Sequence, residues 1–138
     1  MINIDTSKVS KIMNNTLTVF AGKAGSGKTI LLVKTVCDIF KAQDKNSSRR
    51  YFVYDPSGDI ERVLEYPELS EWCSVTEEFK KNLSFLVTLS DLPQDCSNSI
   101  LMIDTNFFKN VACQNLSSTH PELPIFTTQQ LNRDFPDK

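Results

Sequence analysis

One short segment carries the residue types and spacing best suited to chemistry. Residues 22–29 read Gly-Lys-Ala-Gly-Ser-Gly-Lys-Thr and match the pattern G-x-x-x-x-G-K-[ST] at every fixed position. Three of the four glycines in the chain lie within it. Glycine has no Cβ and tolerates positive φ, so such a segment can curl and direct several backbone N–H groups towards one point. The pattern therefore predicts a loop that binds phosphate groups.

The predicted loop implies a purine nucleoside triphosphate with Mg²⁺ as its ligand. Unpaired N–H groups of the loop and of the first turn of the following helix would solvate the α- and β-phosphates. Lys28 would reach the β- and γ-phosphates, and the Thr29 hydroxyl would bind the magnesium. The residues expected to contact the nucleotide are Gly22, Ala24, Gly25, Ser26, Gly27, Lys28, Thr29 and Ile30. A glycine-rich turn that binds nothing is the alternative interpretation.

A second magnesium residue is expected at the end of a neighbouring strand. Asp104 closes the apolar run at 100–103 (ILMI), which is typical of a central strand. Ligands of open α/β sheets bind beyond the carboxyl ends of the strands, and a carboxylate there can hold magnesium through water. Asp104 is therefore predicted as the second metal residue, with a surface aspartate at a strand end as the alternative.

The elements that must position these residues are visible as apolar runs. The expected strands are Leu17–Ala21, Tyr51–Asp55, Phe85–Leu89, Ile100–Asp104 and Pro124–Thr128. The expected helices are 6–14, Lys28–Ala42, Asp59–Glu65, Thr76–Asn82 and Asn106–Leu116. Strands and helices alternate, and the strands are apolar throughout, so the sequence predicts an α/β fold. Its mainly parallel sheet would have about five strands and helices on both faces. Residues 1–138 are expected to form a single domain.

Three features together resemble a known class of ATPases. They are the loop at 22–29, the segment YDPSGD at 54–59 and the segment TTQQ at 127–130. The chain resembles the additional-strand class of P-loop ATPases, whose core is RecA-like, in a minimal or truncated form. Within that class it is similar to the FtsK–HerA superfamily of DNA-pumping and genome-packaging motors.

The resemblance implies a function and further site residues. Gln129 would sense the γ-phosphate, so the implied catalytic residues are Lys28, Asp104 and Gln129. A strand such as Tyr51–Asp55 or Phe85–Leu89 would lie between the strand of the phosphate loop and the strand that ends at Asp104. The implied activity is an Mg²⁺-dependent ATPase, acting as a homo-oligomer on DNA or on a DNA-handling complex.

Two departures from those motors favour a second hypothesis: the residue at the position of their catalytic glutamate, and the end of the chain soon after TTQQ, where the motors continue with further strands and an arginine finger. Thr105 stands where they carry a glutamate that orients the attacking water, and threonine cannot act as a base near neutral pH. Asp55 and Asp59 are the candidate substitutes. Arg133 is the one arginine after the sensor segment, and it is either an arginine finger acting in trans or a plain surface residue. The second hypothesis is an ATP-dependent switch or assembly subunit with little or no hydrolysis.

Other classes of enzyme fit the sequence less well. A small-molecule kinase would often carry an arginine-rich lid between Phe107 and Pro124, and the sequence has none there. A GTPase would carry an Asn/Thr-Lys-x-Asp motif to read the base, and none occurs.

Composition bounds the environment and the partners. No apolar run approaches the roughly 20 residues that cross a bilayer, and residues 1–15 lack an apolar signal core, so a cytoplasmic protein is expected. A net charge of −2 gives no overall attraction to nucleic acid. The four cysteines are too widely spaced for a metal knuckle and are expected to be small buried thiols. Lys23 and Lys34 would add positive charge near the phosphates, although lone lysines on exposed turns usually only face solvent.

Overall fold

The structure, a computed structural model, describes residues 17–22, 27–43, 47–104, 119–120 and 122–130. The strands are β1 (Leu17–Gly22), β2 (Arg50–Tyr54), β3 (Leu83–Phe85), β4 (Ser99–Ile103) and β5 (Ile125–Gln130). The α-helices are α1 (Lys28–Ala42), α2 (Asp59–Glu65), α3 (Pro67–Cys73) and α4 (Glu77–Lys81), and Leu89–Asp91 forms one 3₁₀ turn. The predicted helices 6–14 and Asn106–Leu116 lie outside the described residues.

The five strands form one sheet in the order β1-β5-β4-β2-β3, and every neighbouring pair is parallel. The predicted α/β fold with a parallel sheet of five strands is confirmed. In a parallel sheet the carboxyl ends of all strands lie along the same edge. That edge therefore holds Gly22, the last residue of β1, and Asp104, the residue that follows β4.

The lateral order corrects one expectation of the sequence analysis. The strand between β1 and β4 is β5, whereas Tyr51–Asp55 or Phe85–Leu89 was expected in that position. A central strand is buried on both faces, and residues 125–128 of β5 are buried throughout. By contrast, β3 has only three residues and lies at the sheet edge, where Ser84 and Phe85 are exposed. The predicted strand Phe85–Leu89 overlaps β3 only at Phe85, and Leu89 belongs instead to the 3₁₀ turn that a capping box of Thr88 and Asp91 starts.

The core has one apolar cluster on each face of the sheet. On the first face α1 packs closely against the strands, as its largely apolar sequence predicted. The residues of this first cluster include Leu32, Val36, Tyr51, Val53, Ile60, Phe79, Ile100, Met102 and Phe126. The second cluster alternates with the first along β2, β4 and β5 and includes Phe52, Cys96, Leu101, Ile103, Leu123 and Ile125. Across the described ranges, all four α-helices contribute to the first face.

Two further sequence expectations can be compared with the structure. Cys37, Cys73 and Cys96 are buried and free, which confirms the prediction of small buried thiols for these three, while Cys113 lies outside the described residues. None of the described helices is both long enough and apolar enough to span a bilayer.

Candidate functional site

Asp104 lies at the centre of a hydrogen-bonded cluster at the carboxyl edge of the sheet. Its backbone N–H donates to the carbonyl oxygen of Tyr54 at 3.1 Å, which extends the pairing of β4 with β2 by one residue. Its side chain is fully buried, at 0% exposure. The alternative interpretation, a surface aspartate, is therefore excluded. A buried carboxylate needs hydrogen-bond donors, and two hydroxyl groups supply them.

The two oxygens of the Asp104 carboxylate accept hydrogen bonds from different elements. The Thr29 hydroxyl donates to Oδ2 at 2.7 Å, and the Thr128 hydroxyl donates to Oδ1 at 2.7 Å. Thr29 belongs to the first turn of α1 and Thr128 belongs to β5. The cluster thus ties together the helix after the predicted phosphate loop, the strand β5 and the end of β4.

The start of α1 explains how Thr29 reaches Asp104. Gly27 precedes the helix with φ +87°, a left-handed backbone conformation that residues other than glycine rarely adopt. Its carbonyl oxygen accepts the N–H of Leu31 at 3.0 Å, the first bond of the helix. The helix therefore begins at Lys28, and Thr29 lies in its first turn, where backbone N–H groups have no partner within the helix.

Lys28 is buried at the same helix start, with 8% exposure. Among the described residues, no acidic side chain forms an ion pair with its ammonium group. Burial of a lysine is unfavourable unless its charge is compensated. An anionic ligand held by the loop at 22–27 would provide that compensation.

The other residues expected to bind nucleotide are distributed along the same segment. Gly22 ends β1 opposite Gln130, and Ile30 is half-buried against the first apolar cluster. Ala24, Gly25 and Ser26 lie outside the described residues, as does Lys23. The structure therefore brings together both ends of the predicted loop, Gly22 and Gly27–Ile30, at the carboxyl edge of the sheet.

Gln129, the implied sensor, follows Thr128 in β5 and pairs in register with Ala21 of β1. It is half-buried. Because side chains alternate along a strand, the Gln129 side chain lies on the face of the sheet opposite to that of Thr128. The residue of TTQQ that contacts Asp104 directly is thus Thr128, which the sequence analysis missed. The alternation of the strand was the available signal, because it places Thr128 on the face of α1.

The turn after β2 lies beside this cluster, but the Asp55 carboxylate is otherwise engaged. Its two oxygens accept the N–H groups of Ile60 and Glu61 at 3.1 and 3.0 Å, so it caps the start of α2. Burial raises the pKa of Asp55, the two N–H donors oppose that rise, and the nearby carboxylates of Asp104 and Asp59 add to it. Of the two candidate substitutes for the missing glutamate, Asp55 is thus committed to a structural role.

The second substitute, Asp59, is also held in local contacts. It pairs with Arg62 at 3.6 Å and accepts a long hydrogen bond from Ser57 at 3.3 Å. The Ser57 hydroxyl lies 3.5 Å from the carbonyl oxygen of Asp104, which connects this turn to the end of β4. Thr105 and Arg133 lie outside the described residues.

Lys34 does not add charge to the predicted phosphate site, which corrects the sequence expectation. Its side chain is 4% exposed and pairs with Asp38 at 3.3 Å, and its ammonium lies 6.0 Å from the centre of the Trp72 ring. Residues four apart on a helix share one face, so this pair is formed within α1. Its charge is neutralised between α1 and α3.

The oxygen atoms at the site suit a hard divalent cation. A hydroxyl group has one hydrogen and two lone pairs, so Thr29 can keep its hydrogen bond to Asp104 while Oγ1 binds a metal. Magnesium in nucleotide sites is commonly held by one or two protein oxygens together with phosphates and water. No cluster of three or more His, Cys, Asp or Glu side chains occurs in the part of the chain that the structure describes. The donors at Thr29 and Asp104 therefore fit magnesium that arrives with a phosphate ligand.

Comparison with known proteins adds no family: no protein-family model matches the chain, and neither does any curated protein.

Proposed function

We propose that this chain binds a nucleoside triphosphate with Mg²⁺ between the loop after β1 and the carboxyl end of β4. The observation that carries the proposal is the 2.7 Å hydrogen bond from Thr29 to Asp104. It joins the last residue of the G-x-x-x-x-G-K-[ST] pattern to a strand-end carboxylate 75 residues away. These are the two residues to which the sequence independently assigned the magnesium.

The context of the pattern supports a P-loop protein with a RecA-like core. The segment at 22–29 follows a strand and opens a helix, which is the context that distinguishes a phosphate loop from a chance match. One strand, β5, separates β1 from the strand that ends at Asp104. A strand in that position is the feature for which the additional-strand ATPases are named.

The residues then have separate roles at the bound nucleotide. Lys28 and the amides of the loop would stabilise the charge on the β- and γ-phosphates, and Thr29 and Asp104 would hold the magnesium. Magnesium, when bound, supplies further neutralisation of the phosphate charge. Following the resemblance, the nucleotide is ATP, Gln129 senses its γ-phosphate, and the chain is an ATPase acting on DNA or a DNA-handling complex as a homo-oligomer.

A second candidate function is an ATP-dependent switch or assembly subunit with little hydrolysis. It is favoured by the Asp55 carboxylate, whose two oxygens are occupied by the N–H groups of α2. With Thr105 at the position of the usual glutamate, this leaves one fewer carboxylate to orient an attacking water. The two candidates share the nucleotide site and differ in turnover.

Nucleotide binding tests the shared site. Wild-type protein is titrated with a fluorescent ATP analogue in Mg²⁺, in parallel with Lys28→Ala and with Lys41→Ala, an exposed lysine at the other end of the same helix. Loss of a buried charge-assisted contact should weaken binding by Lys28→Ala roughly 10- to 150-fold. Lys41→Ala should bind as wild type does. Equal affinity in all three proteins would refute the proposed site.

Phosphate release separates the two candidate functions. Release is measured with ATP and Mg²⁺, with and without single- and double-stranded DNA. Turnover that DNA stimulates and Lys28→Ala abolishes would support the ATPase. Tight binding without turnover would support the switch, and Thr105→Glu should then raise the rate. An unchanged rate in that variant would count against the explanation based on Thr105.

A further inference from the structure

Thr128 makes a contact with Asp104 that none of the roles proposed above explains. Its side chain is 1% exposed, and its hydroxyl donates to Oδ1 of Asp104 at 2.7 Å. Oδ2 of the same carboxylate accepts the hydrogen of Thr29. The two hydroxyls therefore hold the carboxylate from both sides. Only Thr29 belongs to the segment assigned to phosphate and metal.

The effect of the Thr128 contact follows from the freedom of an aspartate side chain. The terminal torsion of Asp is broad, so a carboxylate with one fixed oxygen can still rotate. A hydrogen bond to the second oxygen restricts that rotation. With Oδ1 held by β5, Oδ2 is kept towards Thr29 and the start of α1.

We infer that Thr128 is a positioning residue for the magnesium site, because it holds the Asp104 carboxylate with Oδ2 towards Thr29, and these two residues would hold the metal. The inference rests on the proposed function and adds a residue to it. Thr128 acts through Asp104 and is assigned no contact with nucleotide or metal. Groups that orient metal-binding side chains commonly change metal affinity by about 10- to 100-fold when they are removed.

The neighbouring residue offers a matched control. Thr127 is also fully buried, at 0% exposure, but alternation places it on the opposite face of β5. Within the described part of the chain, its hydroxyl makes a long contact, 3.4 Å, to the carbonyl oxygen of Thr128 and none to Asp104. Thr127→Val and Thr128→Val each replace one buried hydroxyl by a methyl group of similar size. If Thr128 had a purely structural role, the two variants would require the same Mg²⁺ concentration.

The experiment measures metal binding separately from turnover. The affinity for a fluorescent ATP analogue is determined in EDTA and across a Mg²⁺ titration, for wild type, Thr128→Val, Thr127→Val and Thr128→Ser. Thr128→Val should require about 10- to 100-fold more Mg²⁺ for the magnesium-dependent gain in affinity. Its affinity in EDTA should stay within about twofold of wild type, because the loop is untouched. Thr128→Ser should restore the wild-type requirement, and Thr127→Val should retain it.

Each other outcome has a distinct meaning. If Thr128→Val and Thr127→Val shift the Mg²⁺ requirement equally, or if Thr128→Ser fails to restore it, the inference is overturned while the proposed function stands. If wild-type protein binds no nucleotide, the proposed function fails and the inference fails with it. Thermal unfolding without ligand shows whether Thr128→Val folds. Should it not fold, Thr128→Ala takes its place with the same expected result.

Discussion

At the scale of single residues, the site is defined by how one buried carboxylate is satisfied. Asp104 has no exposed surface, and its carboxylate is stabilised by two hydroxyl donors while its backbone N–H bonds to Tyr54. Hydroxyl donors compensate the charge only in part, since neither carries a positive charge. A cation beside Thr29 would complete the compensation. The same reasoning applies with opposite sign to Lys28, which is buried and favours an anion.

The Asp55 carboxylate should make the stability of the protein depend on pH. Burial raises the pKa of Asp55 in the folded protein above its ordinary value. The folded state then binds more protons than the unfolded state, so the free energy of unfolding falls as pH rises between the two pKa values. Asp55→Asn removes this dependence. Urea unfolding at several pH values from 3 to 7 should show the stability of wild type, relative to Asp55→Asn, decreasing with pH and then levelling off.

The opposite slope would contradict that assignment. A wild-type stability that rises with pH relative to Asp55→Asn would mean that the N–H groups of Ile60 and Glu61 outweigh burial and lower the pKa. Asparagine keeps one oxygen and so can still accept one of those two N–H groups. The variant is therefore expected to fold.

At the scale of elements, the sequence predicted the kinds of element better than their neighbours. The spans of α1 and α2 agree with prediction, because a run of helix-forming residues and a glycine in the turn before it are local signals. The place of β5 between β1 and β4 was missed. Lateral order depends on which strands can be buried on both faces, and that is settled by contacts distant in sequence. The segment PIFTT gave a partial indication of a central strand, and the structure shows that its residues 125–128 are all buried.

In the candidate site, too, local patterns could be read from the sequence and contacts between distant segments could not. Lys28, Thr29 and Asp104 could be predicted because a motif and a strand end are local patterns, and the structure brings Thr29 and Asp104 into contact. Thr128 was missed because its role depends on a strand register with β4 that sequence alone does not give. The commitment of Asp55 to the cap of α2 was missed for a related reason. Its partners, Ile60 and Glu61, lie across a turn whose geometry was not known.

The central place of β5 predicts unequal costs for one substitution in two strands. Phe126 of β5 is 0% exposed, whereas Phe85 of β3 is 50% exposed. Phe126→Ala should lower the free energy of unfolding by about 3–5 kcal/mol, as other buried phenylalanines do. Phe85→Ala should cost about 1 kcal/mol or less, because half of the ring is already in water. Urea unfolding measures both, and equal losses would show that β5 is not central to the core.

Gly27→Ala and Gly58→Ala should lower stability alike but should differ in their effect on nucleotide binding, because only Gly27 lies in the turn that opens α1. Gly27 and Gly58 have φ of +87° and +78°, and an added Cβ would meet no atom within 4 Å at either position. Alanine should therefore cost about 1–2 kcal/mol at both, from backbone strain alone. Only Gly27→Ala should also weaken binding of an ATP analogue, since Gly27 joins the predicted loop to α1. Unfolding and titration of both variants test this, and weakened binding in Gly58→Ala as well would contradict it.

At the scale of the whole molecule, the parallel sheet makes the site a junction of distant segments. The end of β1, the start of α1, the end of β4 and the end of β5 meet at one edge, although Thr29 and Asp104 are 75 residues apart in sequence. A ligand that contacts all of these segments can bind only to the folded chain. Its binding free energy therefore adds to the stability of the fold as a whole.

This coupling predicts how the melting temperature should respond to ligand. With Mg²⁺ and nucleotide at 100 times the dissociation constant, the free energy of unfolding should rise by about 2.7 kcal/mol. For a chain of 138 residues that corresponds to roughly 10 °C in Tm. At the same concentration Lys28→Ala should gain only about 0.3–1.4 kcal/mol, if its affinity falls as expected. A rise in Tm that is equal in both proteins would mean that the nucleotide stabilises the chain elsewhere, because Lys28 is the buried cation at the proposed phosphate site.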